Sequence, residues 1–137
     1  MKNSKERKPA DLQIFRKEDD LPFVTEELGW RYHHMGIPTD KPIPGEKYLA
    51  HLKMYVKGFD TSPYGIEWMR FEEGCPISDI IKTVPHIAFE VADLGEAVKG
   101  RKLIGEMTSP MSGVKVAMIL ADGAPVELME FDRSRPC

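Results

Sequence analysis

The chain has 137 residues, enough for one domain that buries about two thirds of the surface its unfolded form would expose, so a real hydrophobic core is within reach. Its 19 Lys and Arg against 22 Asp and Glu leave a net charge of -3, which provides no electrostatic footprint for nucleic acid. Two cysteines are too few for a disulfide framework, and no apolar run has signal-peptide or membrane-span length, so a cytoplasmic protein with no membrane partner is expected.

Residues 1–29 read as an N-terminal leader, partly disordered or carrying a short helix with Leu12, Ile14 and Phe15 on its apolar face. Glu6, Asp11, Glu18, Asp19 and Asp20 interrupt its basic residues, which argues against a transit peptide. From Trp30 the run W-R-Y-H-H-M-G-I-P is strand-like and ends at Pro38. Alternation puts His34 and Gly36 on one face and Met35 and Ile37 on the other, so His33 points away from His34 and receives no role. The next stretch, T-D-K-P-I-P-G-E, is a loop because Pro42, Pro44 and Gly45 deny both helix and central strand. Residues 48–56 read as a single strand, with Leu52, Met54 and Val56 alternating against His51, Lys53 and Tyr55. That second trio fits a wet sheet face somewhat better than a cavity wall. After the turn D-T-S-P-Y-G, residues 65–71 form a strand that pairs back on the previous one. The segment 72–82 holds Gly74, Pro76 and one helical turn at S-D-I-I-K, and its Cys75 has no basic neighbour to make it a nucleophile.

Residues 84–94, V-P-H-I-A-F-E-V-A-D-L, are the most regular strand. Ile87, Phe89 and Val91 form an apolar face, while His86, Ala88 and Glu90 share the other. Small Ala88 leaves room in front of His86 as Gly36 does for His34. Asp93, with Glu96 three residues on, is a helix N-cap, and the helix is short because Gly100 weakens it and Gly105 can end it. Residues 114–120 and 126–131 make a last hairpin through A-D-G-A-P, and 132–137 are a solvated tail.

The chain repeats itself. I-E-W-M-R-F at Ile66–Phe71 matches V-E-L-M-E-F at residues 126–131 in its Glu, Met and Phe, and H-M-G-I at 34–37 parallels H-I-A-F at 86–89. Histidine on a first strand and glutamate on a last strand thus recur in both halves. Two such halves about a pseudo-twofold would aim His34, Glu67, His86 and Glu127 into one cavity. Two imidazoles and two carboxylates suit a divalent Zn, Ni, Co, Mn or Fe ion and leave two octahedral positions for water or substrate, which points to catalysis. Both glutamates share strand faces with Met and Phe, where an unpaired carboxylate is costly unless it meets a cation. The alternative is that both lie on exposed sheet faces and bind nothing.

Through these residues the sequence resembles the vicinal oxygen chelate superfamily, which includes glyoxalase I, methylmalonyl-CoA epimerase, extradiol ring-cleaving dioxygenases and drug-resistance proteins of the bleomycin and fosfomycin type. The resemblance covers residues 32–131. The run I-E-W-M-R-F-E-E-G-C-P-I-S-D-I-I-K-T-V-P-H-I-A-F-E-V-A-D-L is most similar to the middle of methylmalonyl-CoA epimerases, where a strand ending in E-L-L precedes an S-P-I segment, a short helix and H-H-I-A-F-E-V.

The resemblance implies an α+β fold of paired βαβββ modules, a glyoxalase-like curled mixed sheet, as one domain over 30–131 with modules at 30–72 and 84–131. It puts His34, Glu67, His86 and Glu127 on the family's metal-ligand positions, the second of which holds glutamine in some members. It also implies chelation of a small oxygen-rich substrate to a divalent metal, with Glu127 or Glu67 abstracting a proton in an isomerase, epimerase or lyase reaction. One alternative is a non-haem Fe(II) dioxygenase using only His34, His86 and Glu127, and another is a metal-free module for an apolar or drug-like ligand. Homodimerisation is a habit of the family. The loop of Pro38, Pro42 and Pro44 stands where the family has its first helix and the strand-turn after it, so the first module is expected to lack both.

Overall fold

The computed structural model describes residues 22–134. The helix face of Leu12, Ile14 and Phe15, and the end of the tail with Cys137, lie outside the described residues. In chain order the elements are α1 (Phe23–Glu26), β1 (Arg31–Pro38), β2 (Lys47–Leu49), β3 (Met54–Lys57), β4 (Ile66–Phe71), α2 (Asp79–Thr83), β5 (His86–Glu90), α3 (Leu94–Ala97), β6 (Lys102–Met111), β7 (Val114–Ala121) and β8 (Ala124–Phe131). Among the described residues no helix is long and apolar enough to cross a membrane.

All the strands join one curled mixed sheet in the order β2-β3-β4-β1-β5-β8-β7-β6. In each half the first strand lies parallel to the last, β1 beside β4 and β5 beside β8. The halves meet where β1 and β5 run antiparallel. Equivalent strands that pair antiparallel are what a local twofold requires, so the repeat in the sequence is realised as two modules joined along the β1–β5 seam. The fold is α+β, one mixed sheet with a few short helices, and the first module has no helix between β1 and β2. Pro42 and Pro44, which remove backbone donors, occupy that connection.

Three features depart from the expectations. Residues 48–56 are not one strand but a hairpin, β2 and β3, with Lys53 in the turn at φ 53°. The strand expected to be missing from the first module is therefore present in three-residue form, and only the helix is gone. His51 and Lys53 lie in that turn, and of the trio only Tyr55 is on a strand, where the Arg70 guanidinium sits 4.0 Å over its ring. The helix after Asp93 is short, as expected, stopping at Ala97, and the chain then enters β6 as an almost wholly exposed sheet edge.

Two apolar clusters hold the sheet. On the outer face of the second module, Leu94 and Ala97 of α3 pack with Trp30 and Val91 on Ala117, Ile119 and Leu128. The α3 start is capped as its sequence predicts, the Glu96 amide donating to Asp93 Oδ1 at 3.1 Å. Leu128 alternates with Glu127, so this core backs the strand face opposite the glutamate. The second cluster, Met54, Met69, Cys75 and Ile81 with Met118 against it, lies on the glutamate side. Met69 is in phase with Glu67, and Met118 is the cross-strand partner of Glu127. Leu128 has no exposed surface and Leu103 on β6 is 41% exposed. Leu128→Ala is expected to cost about 2–5 kcal/mol and Leu103→Ala less than about 0.5 kcal/mol, read from urea midpoints at constant slope.

Candidate metal centre

The register of four strands builds the site. Across the seam His34 pairs with Ala88 and Gly36 pairs with His86. On the outer sides Gly36 also pairs with Glu67 and Ala88 with Glu127. Two rows therefore cross the sheet, Glu67 with Gly36 and His86, and His34 with Ala88 and Glu127. Side chains in neighbouring rows on one face compete for the same few ångströms. Each histidine stands opposite a residue with almost no side chain, so the imidazoles can lean across the seam. A Cβ at Gly36 would lie 2.2 Å from His86 Cε1, which makes glycine a steric requirement there. The small residues matter across strands, to the histidine of the other half, more than along their own strand.

His34 and His86 are buried, at 4% and 3% exposure. Both direct Nε2 at a single oxygen, Glu127 Oε1, from 3.2 Å and 2.9 Å respectively. Their rings are nearly perpendicular, at 81° and 5.5 Å between centroids. Ligand atoms of His34, His86 and Glu127 all lie within 4.8 Å of one another. Glu67 reaches the same place from the other module, with Oε1 3.5 Å from His34 Nε2, and stands outside that trio. All four residues singled out by the repeat are thus gathered at the seam, three closely and Glu67 at the edge.

The environment separates the two carboxyls. Burial by itself would raise the Glu127 carboxyl, but hydrogen bonds and charge from His34 and His86 outweigh it and bring it from 4.5 to about 2. Glu67 moves the other way, raised first by burial, with the nearby Glu127 charge adding to it and His34 only partly offsetting it. For His34, burial lowers the imidazole, yet the Glu127 hydrogen bond and charge leave it raised overall. Two imidazoles and a carboxylate that stays ionised form a donor set suited to a divalent first-row metal. His86 Nδ1 is buried with no hydrogen-bond partner among the described residues.

One residue of the site escaped the sequence argument. The register of β1 on β5 slips between Tyr32, which pairs with Phe89, and His34, which pairs with Ala88. His33 is the extra residue of a bulge. The expectation that His33 faces away from His34 is therefore wrong. The bulge brings the two rings to one side, with Nδ1 of His33 2.8 Å from Nδ1 of His34. The His33 ring stacks on Phe59 at 4.5 Å and 8°, and on Phe131 at 5.4 Å and 26°. The only trace of this in the sequence is the His-His doublet itself.

Among solved structures the chain is similar to a hypothetical protein from Bacillus halodurans C-125, with 20% identity, TM-score 0.46, and 89% of this chain and 91% of that one covered. It is also similar to methylmalonyl-CoA epimerase from Mycobacterium tuberculosis, with 19% identity, TM-score 0.42, and 79% and 75% covered. No family model and no curated protein matches the sequence.

Two outcomes are expected. Gly36→Ala should push His86 out of place and destabilise the protein by about 1–3 kcal/mol, visible in thermal melts and in the His86 ring signals. A carboxyl depressed in the folded state adds stability above its unfolded value and loses it as pH falls through its folded value. The stability difference between wild type and Glu127→Gln, measured on metal-free protein, should therefore shrink as pH drops from 4.5 toward about 2.

Proposed function

We propose that this protein is a metal-dependent enzyme of the vicinal oxygen chelate type that moves a proton on a small oxygen-rich substrate, as an isomerase, epimerase or lyase does. The observation that supports this most is the convergence of His34, His86 and Glu127 on one buried point with a second, differently tuned carboxyl beside it. His34, His86 and Glu127 would hold the metal, which when bound supplies chelation of two neighbouring substrate oxygens and stabilises the charge that develops on them. The protein's own groups divide the remaining work. Glu127, held near the bottom of the carboxylate range, stays ionised and keeps both imidazoles oriented. Glu67 has its carboxyl raised and is free of the trio, so it is the group suited to take the substrate proton. The sulfur-rich wall of Met54, Met69 and Met118 limits water on the same side. The free, buried Cys75 fits a reducing compartment such as the cytoplasm.

A second reading has one observation in its favour. The trio without Glu67 is a two-His, one-carboxylate set, the composition of non-haem Fe(II) oxygenase sites.

Elemental analysis of protein purified without chelators and reconstituted with divalent ions tests both readings, and a single bound ion per chain is expected. Glu67→Gln should retain that ion while slowing deuterium exchange at the substrate carbon by about 10²–10⁴-fold, across a panel of small carbonyl compounds with adjacent oxygens. Activity that requires oxygen and ferrous iron and ignores Glu67→Gln would select the dioxygenase. Failure to load any metal would sink both enzyme readings and leave a metal-free ligand-binding protein.

A further inference from the structure

The two proposed histidine ligands are not supported alike. His86 has a buried Nδ1 with no hydrogen-bond partner among the described residues, and its ring lies directly over Gly36. His34 has a partner for its Nδ1 in His33, itself stacked on Phe59 and on Phe131. Phe59 comes from the β3–β4 connection of the first module and Phe131 from the end of β8 in the second. A ring stacked on two aromatic neighbours has little freedom to turn, and a ligand must be held to a fraction of an ångström to bind metal well.

We infer that His33 is a positioning residue: through its Nδ1 it holds the ring of His34, turning Nε2 of His34 toward Glu127 and Glu67. Its use for a metal rests on the reading above, whereas the orientation of His34 does not. The chemistry explains why a histidine suits this place. A ligand imidazole is oriented by whatever its other nitrogen bonds to. When His34 donates Nε2–H to Glu127, its bare Nδ1 needs a donor. When Nε2 is bare for a cation, its Nδ1–H needs an acceptor. A neutral imidazole can be either. An aspartate at position 33 would only accept and would add a charge near Glu127 and Glu90, while a lysine would only donate.

The test compares full-length wild type, His33→Phe and His33→Asn. Phenylalanine keeps a ring against Phe59 and Phe131 but has no nitrogen, and asparagine restores a polar group near the place of Nδ1 without the ring. Imidazole nitrogen NMR on metal-free protein, at a pH where the rings are neutral, reports the hydrogen bond at His34 Nδ1 through the shift of that nitrogen. Cobalt(II) titration reports affinity and the ligand-field spectrum. Wild type and His33→Asn should share the hydrogen-bonded Nδ1 shift, and His33→Phe should lose it. His33→Phe should bind cobalt about 10–100-fold more weakly with an altered spectrum, and His33→Asn should recover most of the affinity. A His33→Phe protein with wild-type Nδ1 shift and affinity overturns the inference. So does a His33→Asn protein as defective as His33→Phe, which would assign the effect to stacking. If wild type takes up no cobalt, the metal reading fails, and the Nδ1 measurement alone still decides whether His33 positions His34.

Discussion

One carboxylate oxygen, Glu127 Oε1, faces two imidazole nitrogens at 2.9 and 3.2 Å in a place nearly closed to water, and the centre of the molecule depends on that contact. A buried carboxylate is costly unless charge or hydrogen bonds compensate it. The compensating groups come from β1 and β5, the strands that join the modules, so the site exists only while the seam is formed in one register. A one-residue slip of either strand would turn its histidine to the opposite face. The polar site and the assembly of the two modules are therefore a single structural condition.

The twofold supplies the parts, and its imperfection supplies the roles. Glu67 and Glu127 hold equivalent places in the repeat, yet Glu127 meets both imidazoles while Glu67 approaches only His34, at 3.5 Å. The same residue type is driven down at one place and up at the other. Two like groups are thus pushed apart in acidity by their surroundings alone. The asymmetry extends to the histidines, since the bulge beside His34 has no counterpart in β5.

What the sequence made legible followed from period and repetition. Alternation along residues 84–94 placed His86 and Ala88 on one face, and the repeated Glu-x-Met-x-Phe pattern located Glu67 and Glu127 on equivalent strands. The parts that stayed hidden lack those signals for physical reasons. β6 is a solvated edge and has no apolar face to alternate with a polar one. The β2–β3 reversal hides because Leu52 in its turn packs on the same cluster as Met54 and Val56, so the apolar spacing continues through the bend. His33 was lost because face assignment assumes one residue per step, and a bulge breaks that assumption.

The position of that bulge follows from what holds β1 on either side of it. Before it, Trp30 is buried in the outer core of the second module, 5.9 Å from the Phe89 ring and in one cluster with Val91 and Leu94, and Tyr32 keeps register with Phe89. After it, His34 and Gly36 must align with Ala88 and His86 for the imidazoles to reach Glu127. The chain spans from one anchor to the other with one residue more than β5 offers opposite. The ladder absorbs that residue at His33 and leaves both anchors in register. An apolar contact on one face and a polar one on the other thus oblige β1 to bulge between them, and the displaced side chain falls against the very histidine whose orientation the site requires.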